Sequence, residues 1–169
     1  MVTRTDKTLT IMVLIAIPVF FFLYFAGKSN FVFPWSPHVD SSVVVIFNDK
    51  TPLRVTVVKS IPDLMRGLSG VTSLPAIEGM LFVFPNEGYH GIWMKDMLFP
   101  IDITWIDAQG EIISIEQNVH PDSYPHSFEP PRPDLYVIET NSYFMSSFNI
   151  KVGDKVRIPG YIEHKALQN

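Results

Sequence analysis

Near its start the chain carries one long run of apolar residues, and after it come many short ones. Residues 9–27 contain no charged side chain. As a helix these 19 residues would extend about 28 Å at roughly 1.5 Å per residue, close to the ~30 Å hydrocarbon core of a bilayer. Pro18 is compatible with such a helix because neighbouring groups in a membrane can satisfy the freed carbonyl. The pattern therefore predicts a transmembrane anchor over residues 9–27.

A secretory signal peptide is the alternative interpretation of this run. The apolar region of a signal is usually only about 7 to 15 residues long and ends in small residues before the cleavage site. Here Tyr24 and Phe25 stand where a small residue is needed for cleavage after Ala26 or Gly27. We therefore favour an uncleaved anchor or signal, and secretion after cleavage remains the alternative.

Charges beside the apolar run indicate its orientation. Arg4 and Lys7 precede it, whereas Lys28 alone follows it closely. The positive-inside rule then predicts that residues 1–8 are cytoplasmic and that the folded part is extracytoplasmic on a single-pass protein. The expected partner of residues 9–27 is the lipid bilayer. Residues 28–42 contain two prolines and no regular period, which is typical of an extended linker.

From residue 43 onward the apolar pattern predicts strands with two short helices. Ser60 followed by Pro62 and Asp63 is typical of a helix start, and Phe144 and Phe148 are spaced four apart under a polar cap. The expected strands cover residues 43–47, 53–58, 79–84, 101–107, 111–116, 135–140 and 155–158. Short strands without regular strand–helix alternation favour a mainly β fold. We expect residues 43–169 to form one compact antiparallel, barrel-like β domain.

Composition narrows the possible functions. The chain has no cysteine, which excludes disulfides, thiolate metal sites and a cysteine nucleophile. Residues 30–169 have a net charge of −6, so a nucleic-acid partner, which demands a basic patch, is not expected. The spacing of His120 and His126 matches no zinc motif, and no nucleotide, zinc-protease or serine-hydrolase motif is present. We expect neither a metal nor a cofactor.

Charged residues within an apolar, aromatic stretch form the candidate site. Trp93 and Lys95 share one face of an extended strand, and tryptophan favours burial. A buried ammonium needs a carboxylate nearby, and Asp102 and Glu139 are the candidates because Glu139 is in phase with apolar neighbours. Arg66, between Met65 and Gly67, could reach a carboxylate or a bound anion. The alternatives are a structural ion pair, or a lysine that extends along the surface to solvent.

Six segments in order carry a resemblance to a known family. They are Arg66-Gly67-Leu68, the GMLFVFP of residues 79–85, the WMKD of residues 93–96 with Pro100-Ile101-Asp102, Asn118-Val119 with Pro121, the YVIE of residues 136–139, and Gly153-Asp154. Together they resemble the domain-of-unknown-function family 192 over about residues 43–158. The resemblance implies a compact β-rich domain that is frequently exported or membrane-anchored, and it implies no established activity.

Two segments depart from that family pattern. The family usually has Asn and Thr where this chain has Asp96 and Met97, and it usually has a Gly where residues 141–143 stand. If the family's Asn binds a ligand, Asp96 would change the charge that the site prefers. Asp96 is therefore included among the candidate binding residues.

Three functions from different classes remain open. The first is a membrane-tethered domain that binds a small ligand or an envelope partner in a polar cleft formed by Arg66, Trp93, Lys95, Asp96, Asp102 and Glu139. The second is an envelope hydrolase or transferase that uses Lys95 with Asp102 or Glu139 as acid and base. The third is a structural or assembly factor whose ion-pair cluster only specifies the fold. We favour the first.

Overall fold

Nine strands and two short helices make up the domain in a computed structural model that describes residues 41–162. Turn-forming residues separate short β-branched runs along most of this segment. In chain order the elements are β1 (Ser41–Phe47), β2 (Thr51–Val58), α1 (Ile61–Arg66), β3 (Glu78–Gly88), β4 (Ile92–Trp93), β5 (Ile101–Ile106), β6 (Ile112–Val119), a 3-10 turn (Pro121–Ser123), β7 (Ser127–Phe128), β8 (Asp134–Asn141), α2 (Phe144–Ser147) and β9 (Val156–Arg157).

Seven of the strands form one curled sheet, a half-barrel with the order β6-β5-β8-β3-β2-β1-β9. Strands β4 and β7 pair separately. Neighbouring strands of the large sheet are antiparallel except β2 and β3, which run parallel because α1 lies on the connection between them. The two edges of the sheet approach each other at an isolated bridge between Glu111 and Lys155.

Two clusters of buried side chains pack on the two faces of the sheet, and β8 contributes to both. Tyr136 and Ile138 belong to a cluster with β1, β2, α2 and β9, whereas Val137 packs with Phe82 and Trp105 in the other. Successive side chains of a strand point to opposite faces, so a central strand buried on both sides is apolar at consecutive positions. Glu139 follows this alternation onto the same face as Val137.

The structure confirms a mainly β fold with two short helices and corrects several details. The antiparallel prediction is wrong for the β2–β3 pair, since a helix supplies the crossover. Pro85 does not end β3, which continues to Gly88 through an irregular stretch where the proline costs no ladder hydrogen bond. The two-residue strands β4 and β7 were not predicted, because such short segments have no readable period.

Within residues 41–162 no helix is long and apolar enough to cross a bilayer. The anchor predicted over residues 9–27, the cytoplasmic segment of residues 1–8 and most of the predicted linker lie outside the described residues.

Candidate functional site

A cleft of about 150 Å³ lies between α1, the segment after it, β4 and the C-terminal part of β8. Its walls are mainly apolar, with a few polar groups among them. The lining comprises Leu64, Met65, Arg66, Gly67, Leu68, Ser69, Phe82, Gly91, Ile92, Trp93, Met97, Ser127 and Glu139. A concave, mostly apolar surface with few polar groups is typical of small-molecule sites.

Helix α1 brings three consecutive residues to this cleft. The helix begins at the Ser60 cap, whose side-chain oxygen accepts a hydrogen bond from the Asp63 backbone N–H, and it ends at Gly67. Gly67 has φ +52°, which glycine adopts easily. A Cβ at this position would lie 3.0 Å from the Phe82 ring and 3.5 Å from Glu139 Oε2. The positive φ and the close approach to Phe82 together favour glycine where the backbone lines the cleft.

The buried end of the cleft holds the Glu139 side chain, which is only 4% exposed. Its Oε2 has no hydrogen-bond partner among residues 41–162. Burial raises the pKa of Glu139 to about 8, against the smaller opposing effect of a hydrogen bond from the Leu68 backbone N–H. At neutral pH the carboxyl is therefore mostly protonated and can donate a hydrogen bond into the cleft.

At the open end of the cleft the side chains are exposed. Met65 and Arg66 belong to α1 and Trp93 belongs to β4, and all three line the cleft. Arg66 is the positively charged group of the lining, and Glu139 is its other titratable group. The cleft thus combines an apolar and aromatic entrance, one cation at its edge and one neutral carboxyl inside.

A hydrogen-bonded pair of side chains, His90 and Asp134, holds the segment that leads to Trp93. His90 Nδ1 lies 3.0 Å from Asp134 Oδ2, and the His90 backbone N–H donates to Asp134 Oδ1 at 3.0 Å. The His90 ring stacks on Phe84 at 3.6 Å, and Trp105 Nε1 donates to the His90 carbonyl at 2.8 Å. Burial raises the pKa of Asp134, and the His90 contacts oppose that rise. His90 and Asp134 thus position β4 beside the cleft, although neither of these two residues lines the cleft itself.

The partnership of His90 with Asp134 was missed in the sequence. The two residues are 44 positions apart, and neither stands in a motif. A weak signal existed, because Asp134 adjoins the apolar strand expected over residues 135–140, and a carboxylate needs a partner once it is buried.

Lys95 does not point into the domain. Its side chain is exposed, and no acidic partner for it occurs within residues 41–162. Trp93 and Lys95 are both exposed, whereas Ile92 and Met94 are buried, but the strand ends at Trp93 and Lys95 lies in the turn that follows it. The expectation of a buried ammonium is wrong, and its premise that tryptophan must be buried is the reason.

Asp102 is fully buried, but its carboxylate serves the fold. Oδ1 accepts from the backbone N–H groups of Asn118 and Tyr143, each at 2.9 Å, and Oδ2 accepts from the N–H of Met145 at 3.1 Å. Three backbone donors satisfy the charge without a cation. Asp102 is not among the residues that line the cleft.

Asp96 is an exposed turn residue with φ +57°. Asn and Asp tolerate this left-handed conformation better than other side chains, so the backbone explains the residue type found there. Tyr143, in the segment where the resemblance implies a glycine, has φ +65°. The backbone therefore accounts for Asp96 without a ligand, whereas it does not explain the tyrosine at position 143.

Of the six candidate residues, the structure brings Arg66, Trp93 and Glu139 together in the cleft and places Lys95, Asp96 and Asp102 outside its lining. Groups of side chains able to hold a metal ion are absent from residues 41–162. A single neutral carboxyl without a second acid or base in the lining can orient a ligand by hydrogen bonding. General acid–base catalysis would require further groups.

Solved structures of other proteins share this fold, among them these two. A crystal structure from Sinorhizobium meliloti 1021, described as a proposed transcription regulator, is 23% identical, with a TM-score of 0.65 over 69% of this chain and 93% of the other. A protein of unknown function from Novosphingobium aromaticivorans DSM 12444 is 25% identical, with a TM-score of 0.65 over 69% of this chain and 85% of the other. Comparison with curated proteins gives no match.

The sequence pattern of one family matches residues 43–158, which include the cleft and all of the large sheet except the first two residues of β1. The family is described as "Uncharacterized ACR". The order of segments that suggested the resemblance is thereby confirmed over most of the chain. The chain belongs to the domain-of-unknown-function family 192.

Proposed function

We propose that this protein is a binding protein whose β domain takes a small, uncharged ligand into the Glu139 cleft. The observation that carries the proposal is the unpartnered Oε2 of Glu139 at the buried end of a preformed cleft. A buried polar atom without a partner costs about 1 to 3 kcal/mol, and a ligand that supplies the missing hydrogen bond removes that cost.

Cleft volume sets the size of the group that enters. An engineered cavity of about 150 Å³ in another protein accepts benzene, so a group of that size fits here. Phe82, Ile92 and Met97 supply the apolar surface for it. The ligand therefore has an apolar or aromatic part comparable to one ring.

The charge of the cleft selects the polar part of the ligand. A protonated Glu139 donates a hydrogen bond, so a carbonyl or similar acceptor is the complementary group. The positive charge of Arg66 at the entrance disfavours cations. A neutral carbonyl compound with an apolar substituent satisfies both conditions.

The proposal includes the location of the domain. Residues 9–27 anchor the chain in a bilayer, and the folded part lies on the extracytoplasmic side, as the apolar run and the flanking charges suggest. A small ligand or an envelope component is then the available partner. Secretion after cleavage would leave the binding cleft unchanged.

An enzymatic role for Lys95 has no support in the cleft. The lysine is exposed and absent from the lining, and both oxygens of Asp102 accept backbone hydrogen bonds. An acid–base pair formed from either residue with Glu139 is therefore not assembled.

Benzamide and benzamidine test the proposal because they share a shape and differ in charge. At about pH 6, benzamide should shift the NMR signals of the Trp93 indole and the Met97 methyl more strongly than benzamidine does. Above about pH 8 the order should reverse, because the Glu139 carboxylate then attracts the amidinium and no longer donates to the amide.

Variants at Glu139 provide the control for this titration. Glu139→Gln keeps a donor and should bind benzamide without the change near pH 8, whereas Glu139→Leu should weaken benzamide binding by about tenfold, equivalent to one lost hydrogen bond. Glu116→Gln, at an exposed glutamate of β6, should behave as wild type. Absence of any shift at Trp93, or equal pH profiles for both compounds, would contradict the proposal.

A further inference from the structure

Large apolar side chains are exposed around the mouth of the cleft. Ile61 is 76% exposed, Met65 57%, Leu98 60% and Trp93 40%. Ile61 and Met65 stand one helical turn apart on α1, and Met65 and Trp93 both line the cleft. Leu98 directly follows the cleft residue Met97. We refer to these four residues as the apolar rim.

Two hydrogen bonds connect the parts of the rim into one surface. The Ser69 hydroxyl donates to the Lys95 carbonyl at 2.7 Å, and the Gly70 N–H donates to the Asp96 carbonyl at 2.8 Å. They join the segment after α1 to the turn that precedes Leu98. The rim is therefore held by the fold on both sides of the cleft, and exposed clusters of this kind mark interaction surfaces.

The chain enters the domain next to this surface. Ser41, the first described residue, pairs with Val57 on β2, and Ser60 at the start of α1 follows three residues later. Residues 28–40 separate the apolar run of residues 9–27 from Ser41. Fully extended, they span at most about 45 Å at roughly 3.4 Å per residue. An anchor in residues 9–27 would thus keep the rim within reach of the bilayer.

We propose that the apolar rim is a bilayer-contacting surface and that the cleft takes its ligand from the membrane. The ligand is then an amphiphile whose carbonyl-bearing apolar group enters between Met65 and Trp93. This assignment rests on the binding function proposed above and narrows its ligand class. The contact itself depends only on the rim.

Residue types around the rim agree with a lipid surface. Tryptophan is favoured at the membrane–water interface, and apolar side chains of a surface helix insert at the boundary of headgroups and acyl chains. Arg66 and Lys95 are both exposed and attract anionic headgroups, and the exposed Asp96 and Glu129, the latter beside the cleft residue Gly91, oppose them in part.

A second apolar groove supplies the matched control. It is lined by Leu74, Ala76, Ile77, Asn141, Ser142, Phe144, Ser147 and Phe148. Ile77 is 63% exposed and Phe148 47%, values similar to those of the rim. None of the residues that line this groove adjoins the point of chain entry at Ser41. Mutating one surface at a time therefore distinguishes nonspecific hydrophobic adsorption to vesicles from specific bilayer contact by the rim.

Residues 37–169 are the material for the test. All the strands and both core clusters lie in this part, and related solved structures that are matched over 93% and 85% of their length fold with little else. This fragment lacks Trp35, so Trp93 and the fully buried Trp105 are its tryptophans. Binding is measured on vesicles of phosphatidylcholine and phosphatidylglycerol with brominated acyl chains, which quench nearby indoles.

The wild-type fragment should bind these vesicles with quenching of Trp93, and Trp93→Phe should remove the quenching. The double variant Ile61→Ser/Met65→Ser should lower the partition coefficient by about tenfold or more, because two apolar side chains lose their contact with lipid. The double variant Ile77→Ser/Phe148→Ser should partition as wild type. These results together would support a bilayer-contacting rim.

Absence of vesicle binding, or equal losses in both double variants, would overturn the inference. The benzamide titration of the same variants keeps the two proposals distinguishable. If benzamide still binds while vesicles do not, only the membrane contact fails. If Ile61→Ser/Met65→Ser removes vesicle binding and benzamide never binds, the rim stands and the small-ligand function fails.

Discussion

Glu139 stays protonated at neutral pH because β8 carries it into the interior beside Phe82 and Gly67, where the charged form loses its hydration. A neutral carboxyl in such a place acts as a hydrogen-bond donor. The protonation state of Glu139, on which the proposed binding function depends, can be tested without any ligand. Trp93, in contrast to Glu139, is exposed, and an aromatic residue at the surface provides contact area for a partner.

Stability should depend on the protonation of Glu139. Its pKa is raised on folding from 4.5 to about 8, so its favourable contribution is complete below about pH 4.5 and is lost as the pH rises through about 8. Relative to Glu139→Gln, wild type should lose about 3 to 5 kcal/mol of unfolding free energy across that range, at 1.36 kcal/mol per pKa unit. Urea unfolding at several pH values measures the difference.

Glu116→Gln serves as the control for this measurement, because the exposed Glu116 should leave the pH dependence of wild type unchanged. If the unfolding free energies of wild type and Glu139→Gln change with pH in parallel, the buried carboxyl is ionised in the folded protein.

Elements of this domain are joined by buried carboxylates that accept backbone hydrogen bonds. Asp102 on β5 accepts from Asn118 on β6 and from Tyr143 and Met145 at the start of α2. Asp134 on β8 holds the turn at His90 in the same way. Asp102, a candidate site residue in the sequence, therefore connects elements of the fold, as Asp134 does, and helix α1 with Gly67 is the element that forms the cleft.

Replacing Asp102 by Asn should be strongly destabilising. The amide NH₂ would face a backbone N–H where the carboxylate oxygen accepted one, leaving a buried donor without a partner. We expect a loss of about 2 to 4 kcal/mol in urea unfolding, because charged hydrogen bonds contribute about 1.5 to 3 kcal/mol each. Asp154→Asn, at a turn carboxylate that accepts one exposed bond from the Lys151 N–H, is the comparison and should cost less than about 1 kcal/mol. Equal losses of unfolding free energy for the two substitutions would show that the Asp102 carboxylate does not hold β5, β6 and α2 together.

On the scale of the whole molecule, the core of the domain extends slightly beyond residues 43–158, the segment that the family pattern matches. Both core clusters are formed by residues between Val45 and Ile162, and one isolated bridge brings the edges of the half-barrel together. A sheet whose edges meet offers few unpaired strands to other chains. Residues before the domain can then serve attachment without contributing to its core.

Removal of residues 1–36 should therefore leave the stability of the domain unchanged. The full chain and the fragment of residues 37–169, in the same detergent, should unfold at the same urea concentration with the same slope. Circular dichroism follows the transition. A fragment that unfolds without cooperativity, or at a clearly lower urea concentration, would mean that the N-terminal part belongs to the core.

Local patterns in the sequence determined most of the elements, because β-branched runs, turn residues and the Ser60 cap act over a few neighbouring positions. The six-segment order also determined the family. Tertiary structure decided which side of each strand is buried, so Lys95 faces solvent, Asp102 meets backbone donors, and Glu139 joins Arg66 and Trp93 in one cleft. Alternation along a strand places two side chains on a common face, but only packing against distant parts of the chain determines whether that face is the inner or the outer one.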